Sequence, residues 1–179
     1  MTQRWHTVNP EEAVTAAFFR IWQTRMVDVP ILNPALSVEA IDFQRWQGHW
    51  LGMVVTPWCM SLTLLPGTAQ GWDSVGVNKR RFVHFPAGDF AFLGGQEDEL
   101  GEYQSCSLFS PMNKFGSQFE AVQTARAALI GLLTAPAAAT AAATTAPASV
   151  QGKAGAPAAK VTSQHKVMSR RGFFALRKP

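Results

Sequence analysis

All six tryptophans of this 179-residue chain, together with its single tyrosine, lie before Ala135. After that point Ala, Pro, Thr, Lys and Arg dominate, and no aromatic residue occurs between Ala135 and Met168. A segment of this composition cannot bury enough apolar surface to offset the entropy it would lose on ordering. We therefore expect one folded domain over residues 1–134, a disordered linker over residues 135–168 and a basic segment over residues 169–179.

Charge divides the chain at the same place. Residues 1–134 contain 9 Lys and Arg against 12 Asp and Glu, whereas residues 135–179 contain 7 basic residues and no acid. The sequence pI of about 9.4 therefore reflects the tail. The mildly acidic domain lacks the basic face with which proteins bind nucleic acid, so we expect no nucleic-acid partner.

The cysteines and the hydropathy pattern indicate a cellular compartment. Cys59 and Cys106 are the only cysteines, which is too few for the disulfide framework of a secreted domain. No stretch reaches the roughly 18 apolar residues of a membrane span, and the N-terminus does not read as a signal region. We expect a cytoplasmic protein with no stable insertion in the membrane.

Helical signals lie near the start of the predicted domain. Asn9 followed by Pro10-Glu11-Glu12 is typical of a helix N-terminus, because the Asn side chain caps free amides and the carboxylates favour the positive end of the helix. The predicted helix runs from Pro10 to about Met26. Its apolar positions recur at helical spacing: Val14, Phe18, Ile21, Trp22 and Met26. Arg20 and Gln23 are expected to face away.

A second helix is predicted at the end of the domain. Ser117 and Glu120 form a capping box, and Ala135-Pro136 ends the helical pattern. The apolar positions of this helix are Phe119, Val122, Ala125, Leu129 and Leu132.

Short apolar runs separated by Gly and Pro are typical of strands and fill the sequence between the two helices. The strands are predicted near 38–46, 49–56, 58–65, 80–85, 89–93 and 102–109. Gln47-Gly48 is predicted as a tight turn, Pro57 as a corner or bulge, and Gly94 to Gly101 as an acidic loop. The chain is therefore predicted to be a two-layer α+β protein with an antiparallel meander sheet packed by an N-terminal and a C-terminal helix, followed by a disordered tail.

Patterns typical of catalysis or of metal binding are missing from the sequence. The four histidines are scattered, and no Cys-x-x-Cys or His-x-x-x-His pair occurs. The spacing that metal ligands require is therefore absent. There is also no glycine-rich phosphate loop and no Gly-x-Ser-x-Gly nucleophile elbow. We predict no enzyme activity, no metal and no cofactor.

An acidic run is the first candidate binding feature. It consists of Glu97, Asp98, Glu99 and Glu102. Adjacent acids flanked by glycines are usually a solvated turn. Two other interpretations remain open: a pair of catalytic carboxylates, or a docking site for arginine side chains, which carboxylates bind with charge-assisted hydrogen bonds.

A set of large apolar side chains is the second candidate binding feature. Its members are Trp46, Trp50, Trp58, Phe85, Phe109 and Met112. Aromatic residues of a small domain belong first of all to its core. Trp, Phe and Met are also enriched at protein interfaces, so those of the set that remain exposed are candidates for contact with a client protein.

Several sequence blocks together resemble the HybE-type [NiFe]-hydrogenase assembly chaperone family over most of residues 10–134. The blocks are Asn33-Pro34-Ala35-Leu36, Trp46-Gln47-Gly48-His49-Trp50-Leu51-Gly52, Val55-Thr56-Pro57-Trp58, Leu64-Leu65-Pro66 and Tyr103-Gln104-Ser105-Cys106-Ser107-Leu108-Phe109-Ser110-Pro111-Met112. The resemblance implies a cytoplasmic, non-enzymatic accessory protein. Such a protein holds precursor subunits of an exported hydrogenase until assembly is complete and the twin-arginine translocation system takes them, which is a proofreading role. It carries over no catalytic residue.

The basic segment at the end of the chain resembles the core of a twin-arginine export signal. It reads Ser169-Arg170-Arg171-Gly172-Phe173-Phe174, but five residues follow where an export signal has roughly 7–15 apolar ones. We hypothesise that Arg170, Arg171, Phe173 and Phe174 mimic a client signal and occupy the peptide site of the domain. The arginines would pair with the acidic run until the client displaces them. The alternative is a solvated extension that touches anionic lipid.

A different class of function uses the two thiols. In this alternative, Cys59 and Cys106 make the protein a redox or metallocentre-protecting accessory of the hydrogenase precursor. Buried cysteines usually behave as small apolar residues, so the chaperone interpretation is preferred.

Overall fold

A computed structural model describes residues 3–134. The predictions for residues 135–179 lie outside these described residues. Helix α1 spans Glu11–Ile21 and continues into a π-helical turn at Trp22–Met26. The strands and the second helix follow in this order: β1 Glu39–Trp46, β2 His49–Val55, β3 Met60–Leu65, β4 Arg80–Phe85, β5 Gly88–Glu97, β6 Gly101–Phe109 and α2 Gln118–Leu133.

The six strands form one antiparallel sheet in the order β1-β2-β3-β6-β5-β4. It consists of two three-stranded meanders, β1-β2-β3 and β4-β5-β6, which join where β3 pairs with β6. The long connection from β3 to β4 places β4 at one edge and β1 at the other. The predicted α+β class with an antiparallel sheet is confirmed.

The two helices pack on opposite faces of the sheet. Neighbouring residues of β2 show this, because Met53 belongs to the core under α2 and Val54 to the core under α1. Every residue of β2 and of β3 is buried, as expected for strands covered on both faces. The centre of the sheet is therefore the middle of three layers, which corrects the predicted two-layer arrangement.

Helix α1 begins one residue later than predicted. Pro10 occupies the cap position, and the Oδ1 of Asn9 still accepts a hydrogen bond from the amide of Glu11 at 3.0 Å. Val14 and Phe18 are buried on the sheet, together with Ala17. The helix then widens into the π-helical turn, which extends to Met26.

Helix α2 has part of the predicted capping box. The Oγ of Ser117 accepts from the amide of Glu120 at 3.3 Å, whereas the carboxylate of Glu120 accepts from the amide of Gly116 at 2.9 Å. Phe119 was predicted to be buried and is instead 73% exposed. The buried stripe begins at Ala121 and Val122, so a side chain two positions earlier points away from the sheet.

The connections between the strands follow the sequence in part. The tight turn at Gln47-Gly48 is confirmed, with φ of 50° and 83° at its two residues. Pro57 lies at the corner between β2 and β3, where its carbonyl accepts from the amide of Asn33 at 2.9 Å. Trp58 was predicted to belong to the strand over 58–65, but β3 begins at Met60. The side chain of Trp58 instead packs against the α1-side core, because it lies in the corner before β3 begins.

Candidate functional site

The predicted acidic loop is a tight hairpin turn. Strands β5 and β6 remain paired as far as Glu97 and Gly101, so Asp98, Glu99 and Leu100 alone connect them, which corrects the predicted loop of Gly94 to Gly101. Gly94 belongs to strand β5. A Cβ at this residue would lie 2.1 Å from the carbonyl oxygen of Val75. A glycine lets the two backbones approach this closely.

Two acids of the turn bind arginines of the domain itself. The guanidinium of Arg25 lies 2.5 Å from a carboxylate oxygen of Glu97, and that of Arg20 forms an ion pair with Glu99. The hydrogen bond to Glu97 raises the pKa of Arg25. Arg4 donates to the backbone carbonyl of Glu99. Arg20 is thus solvent-exposed, as predicted, but it has a partner across the turn.

The other two acids differ in their surroundings. Asp98 is exposed, and among the described residues it has no hydrogen-bond or ion-pair partner. Glu102 lies on β6, where its carboxylate accepts from the side chains of Trp72 and Ser74 and from the amide of Val75 at 2.6–3.3 Å. The structure therefore brings Glu97, Asp98 and Glu99 together, whereas Glu102 anchors the loop before β4.

An N-terminal arm, residues 4–9, crosses the α1 side of the domain. The amide of His6 donates to the carbonyl of Pro66 at 2.9 Å, and the Nε1 of Trp50 donates to the carbonyl of His6 at 2.8 Å. The Nε2 of His6 lies 3.0 Å from the carbonyl oxygen of Leu100. Burial lowers the pKa of this histidine, with the neighbouring charge of Arg4 adding to the effect.

A groove runs along α1, from the arm beside the N-terminal half of the helix to the acidic turn beside its C-terminal half. One depression of about 400 Å³ lies between the C-terminal half of the helix, the π-helical turn and the acids. A second, of about 480 Å³, lies between the helix and the arm. The two share Arg20 and Glu99 in their linings, so they are adjoining parts of one feature, named here the α1 groove.

The two ends of the α1 groove have different chemistry. Its acidic end contains Glu97, Asp98 and Glu99 with Arg25. Its other end, the arm end, is lined by the apolar side chains of Trp5, Val8, Ala13 and Ala16, with polar residues that include Arg4, His6 and Asn9 at its margin. The side chains of Trp5 and Val8 are 39% and 75% exposed.

Sequence reasoning did not single out the residues of the arm end. Trp5 and Val8 precede the first helix and follow no periodic pattern. Ala13 and Ala16 are too small to mark a binding surface by composition.

The predicted set of large apolar residues does not form one surface. Phe85 and Met112 are fully buried in the α2-side core, and Trp50 is buried in the α1-side core. Trp46 is half-buried and stacks on Phe85 with ring centroids 4.6 Å apart. Two further members, Trp58 and Phe109, are half-buried.

The two thiols lie in different environments. Cys106 is 1% exposed in the α2-side core, where it pairs across the sheet with Leu62. Cys59 is half-buried at the corner before β3, and burial raises its thiol pKa. Within residues 3–134 no group of three or more His, Cys, Asp or Glu side chains is arranged to hold a metal ion.

The sequence of this chain matches the profile of a known protein family. The profile described as "[NiFe]-hydrogenase assembly, chaperone, HybE" matches residues 9–176. This chain belongs to the HybE family. The family resemblance that the sequence blocks predicted is thereby confirmed.

Relatives within the HybE family carry hydrogenase-related names. "Probable rubredoxin HupJ" of Rhodobacter capsulatus is 38% identical over 69% of this chain, which spans 44% of that protein. "Hydrogenase-2 operon protein HybE" of Escherichia coli strain K12 is 36% identical over 59% of this chain and 65% of its own length. The chain thus spans less than two thirds of either relative.

The fold also matches a solved member of the HybE family. The solution structure of HybE from Escherichia coli superposes with a TM-score of 0.61 at 29% identity. The match covers 87% of this chain and 98% of that structure. In the described part of this chain, neither helix has the length and hydropathy needed to cross a membrane.

Proposed function

We propose that this protein is a non-catalytic chaperone for the maturation of an exported [NiFe] hydrogenase. It binds a precursor subunit in the cytoplasm before twin-arginine export. The observation that carries the proposal is the family match over residues 9–176. A relative in Bradyrhizobium diazoefficiens, 38% identical over 68% of this chain, is named "Hydrogenase expression/formation protein HupJ".

The chemistry of the α1 groove supports binding rather than catalysis. Two of its acids, Glu97 and Glu99, are engaged in ion pairs with arginines of the domain. Guanidinium groups of the domain thus already contact both carboxylates, an arrangement that suits the binding of cationic side chains. Open depressions that combine exposed apolar side chains with charged ones suit contact with a polypeptide.

A purified precursor tests the main proposal. The full chain is titrated with a hydrogenase small-subunit precursor that carries its twin-arginine signal, and with the same subunit without the signal. We expect binding to the precursor at micromolar or tighter affinity. The large subunit of the hydrogenase is titrated in the same way, and failure of the full chain to bind either the precursor or the large subunit would contradict the chaperone proposal.

The tail is proposed as a competitor for the same site. Arg170 and Arg171 would pair with the acids of the turn, and Phe173 and Phe174 would contact apolar surface. The carbonyl of Leu132 accepts from the amide of Ala87 at 3.2 Å, so the last turn of α2 lies beside the β4–β5 turn. The linker predicted over residues 135–168 has 34 residues, a length at which a flexible chain reaches roughly 32 Å, and tethering of this kind gives an effective concentration near the millimolar range.

Substitution within the full chain tests the competitor. The double variant Arg170→Gln/Arg171→Gln should bind a twin-arginine signal peptide about tenfold more tightly by titration calorimetry, because the tethered rival is weakened. Lys153→Gln/Lys160→Gln removes the same charge from the linker and should leave the affinity unchanged. Equal affinity in the arginine variant and the parent would rule out competition by the tail.

A further inference from the structure

We infer that the α1 groove binds the twin-arginine signal of the client. The two arginines of the signal lie at the acidic end, and the apolar residues that follow them lie at the arm end. This inference rests on the proposed function and assigns that function to a place on the molecule. The occupant is an extended segment in which an arginine pair precedes apolar residues.

The acidic end already binds guanidinium groups. Glu97 and Glu99 hold those of Arg25 and Arg20, and the side chains of these arginines are 56% and 63% exposed. Ion pairs at such exposure contribute little to stability, so the arginines of the domain can leave at small cost. Asp98 adds a third carboxylate beside them. A client's arginine pair can therefore replace Arg20 and Arg25 by exchange.

The arm end supplies apolar contact next to this charge. Val8 is 75% exposed and Trp5 is 39% exposed, and both line the depression together with the exposed helix residues Ala13 and Ala16. Exposed apolar side chains gathered at a groove mark an interaction surface. Small helix residues leave room there for the bulkier side chains of a bound peptide.

The order of the two ends fixes the direction of the client. The acids lie beside the C-terminal half of α1 and the apolar lining beside its N-terminal half. Export signals carry their basic residues before their apolar region. The client must therefore run antiparallel to α1.

The length of the groove matches a short segment. From Ala13 to Arg25 a helix rises by about 18 Å, which an extended chain at about 3.3 Å per residue covers with five or six residues. An arginine pair and the next three or four residues fill this distance.

A peptide titration tests the assignment on the full chain. The probe is a fluorescent peptide with the sequence of residues 169–176, Ser-Arg-Arg-Gly-Phe-Phe-Ala-Leu, and binding is followed by anisotropy. All variants are made together with Arg170→Gln/Arg171→Gln, so that the tail does not compete. A second peptide has both arginines replaced by lysine, which cannot form the bidentate contact.

Variants at the acidic end should change affinity in opposite directions. Glu97→Gln/Asp98→Asn/Glu99→Gln should weaken binding about tenfold, because charge-assisted contacts to the arginines are lost. Arg20→Gln/Arg25→Gln should tighten it about threefold, because the carboxylates are freed. Arg126→Gln removes another exposed helix arginine that pairs with an acid, Asp42, and should change nothing.

Variants at the arm end have a matched control on α2. Val8→Asp should weaken binding about fivefold, because it places a charge in the apolar end. Phe119→Asp introduces the same charge at another exposed apolar residue, 73% exposed on α2, and should have no effect. Circular dichroism melts verify folding. If the triple acidic variant is unfolded, Asp98→Asn alone decides, because that exposed side chain forms no hydrogen bond or ion pair among the described residues.

The results separate the two proposals. If the peptide binds and the groove variants leave its affinity unchanged, the groove assignment is wrong while the proposed function stands. Phe82 is an exposed residue of β4 that does not line the groove. If Phe82→Asp abolishes peptide binding, the groove assignment is likewise wrong. Equal affinity for the arginine and lysine peptides would overturn arginine recognition at the acidic end. If neither peptide binds and the small-subunit precursor and the large subunit also fail to bind, the proposed function fails as well.

Discussion

The two faces of the sheet are covered in different ways. The α2 face is closed by one long helix over a continuous core that includes Phe85, Phe92 and Leu132. The α1 face has a smaller core, and its margin is formed by the arm, the acidic turn and exposed ion pairs. The α2 face therefore contributes the larger part of the buried core. The α1 face is the one on which we propose that a partner binds.

The largest expected effect comes from the α2 face. Phe92 is fully buried, and Phe92→Ala should lower the free energy of unfolding by about 3–5 kcal/mol through lost burial and the cavity that remains. Urea denaturation measures this loss. Phe82→Ala is the matched control, because Phe82 is 66% exposed on the neighbouring strand. A loss below about 1 kcal/mol for Phe92→Ala would show that the α2 face is not the stabilising one.

Tyr103 gives a test on the α1 face. Its ring packs against Phe18 with centroids 6.0 Å apart. Burial, aided by the charge of Glu97, raises the pKa of Tyr103 to about 12 from its usual 10. The folded state holds this proton more tightly than the unfolded state does, so stability should fall as pH rises from about 10 through about 12, by on the order of 2 kcal/mol.

Absorbance titration reads this transition directly, because Tyr103 is the only tyrosine of the chain. The midpoint should lie near pH 12 in the folded protein and near pH 10 in urea. Tyr103→Phe should remove the corresponding fall in stability. A folded-state midpoint near 10 would show that the α1-side core is open to water at this residue.

The smallest of the expected effects concerns the arm. Because burial lowers the pKa of His6 in the folded state, the unfolded chain binds more protons between that lowered value and 6.5. Stability should therefore decrease as pH falls below about 6.5. Urea denaturation at pH 5.5 and 7.5 should show a larger decrease for the parent than for His6→Gln. Identical decreases would mean that the arm does not bury the imidazole.

Local signals in the sequence predicted most of the secondary structure. The helix start after Asn9, the cap at Ser117 and the turn at Gln47-Gly48 each depend on residues within four positions of one another, and the structure contains all three. The prediction that Phe119 is buried was wrong. An apolar residue in the first turn of a helix can match the helical spacing of the buried residues although its side chain points to solvent. Short-range patterns define the elements but not their exposed margins.

The features that form the α1 groove depend on distant residues. Arg25 meets Glu97 across 72 positions of sequence, and no periodicity links them. Gly94 and Gly95 looked like a loop because glycine usually interrupts strands. The backbone of Val75 and the ring of Tyr103 pack where side chains would otherwise be, so the strand continues. The acids were identified from sequence, whereas their arginine partners and the arm were not.

The π-helical turn at Trp22–Met26 sets the spacing of two charges. In an α-helix at about 100° per residue, residues five apart, such as Arg20 and Arg25, point about 140° away from each other. A π-helical turn closes with i→i+5 hydrogen bonds and takes more residues to complete, so it turns Arg25 back toward the side of Arg20. If the same residues kept regular α-helical geometry, Arg25 would point about 140° away from Arg20. The π-helical turn thus places the side chains of Arg20 and Arg25 on the same side of the helix, where they meet Glu99 and Glu97.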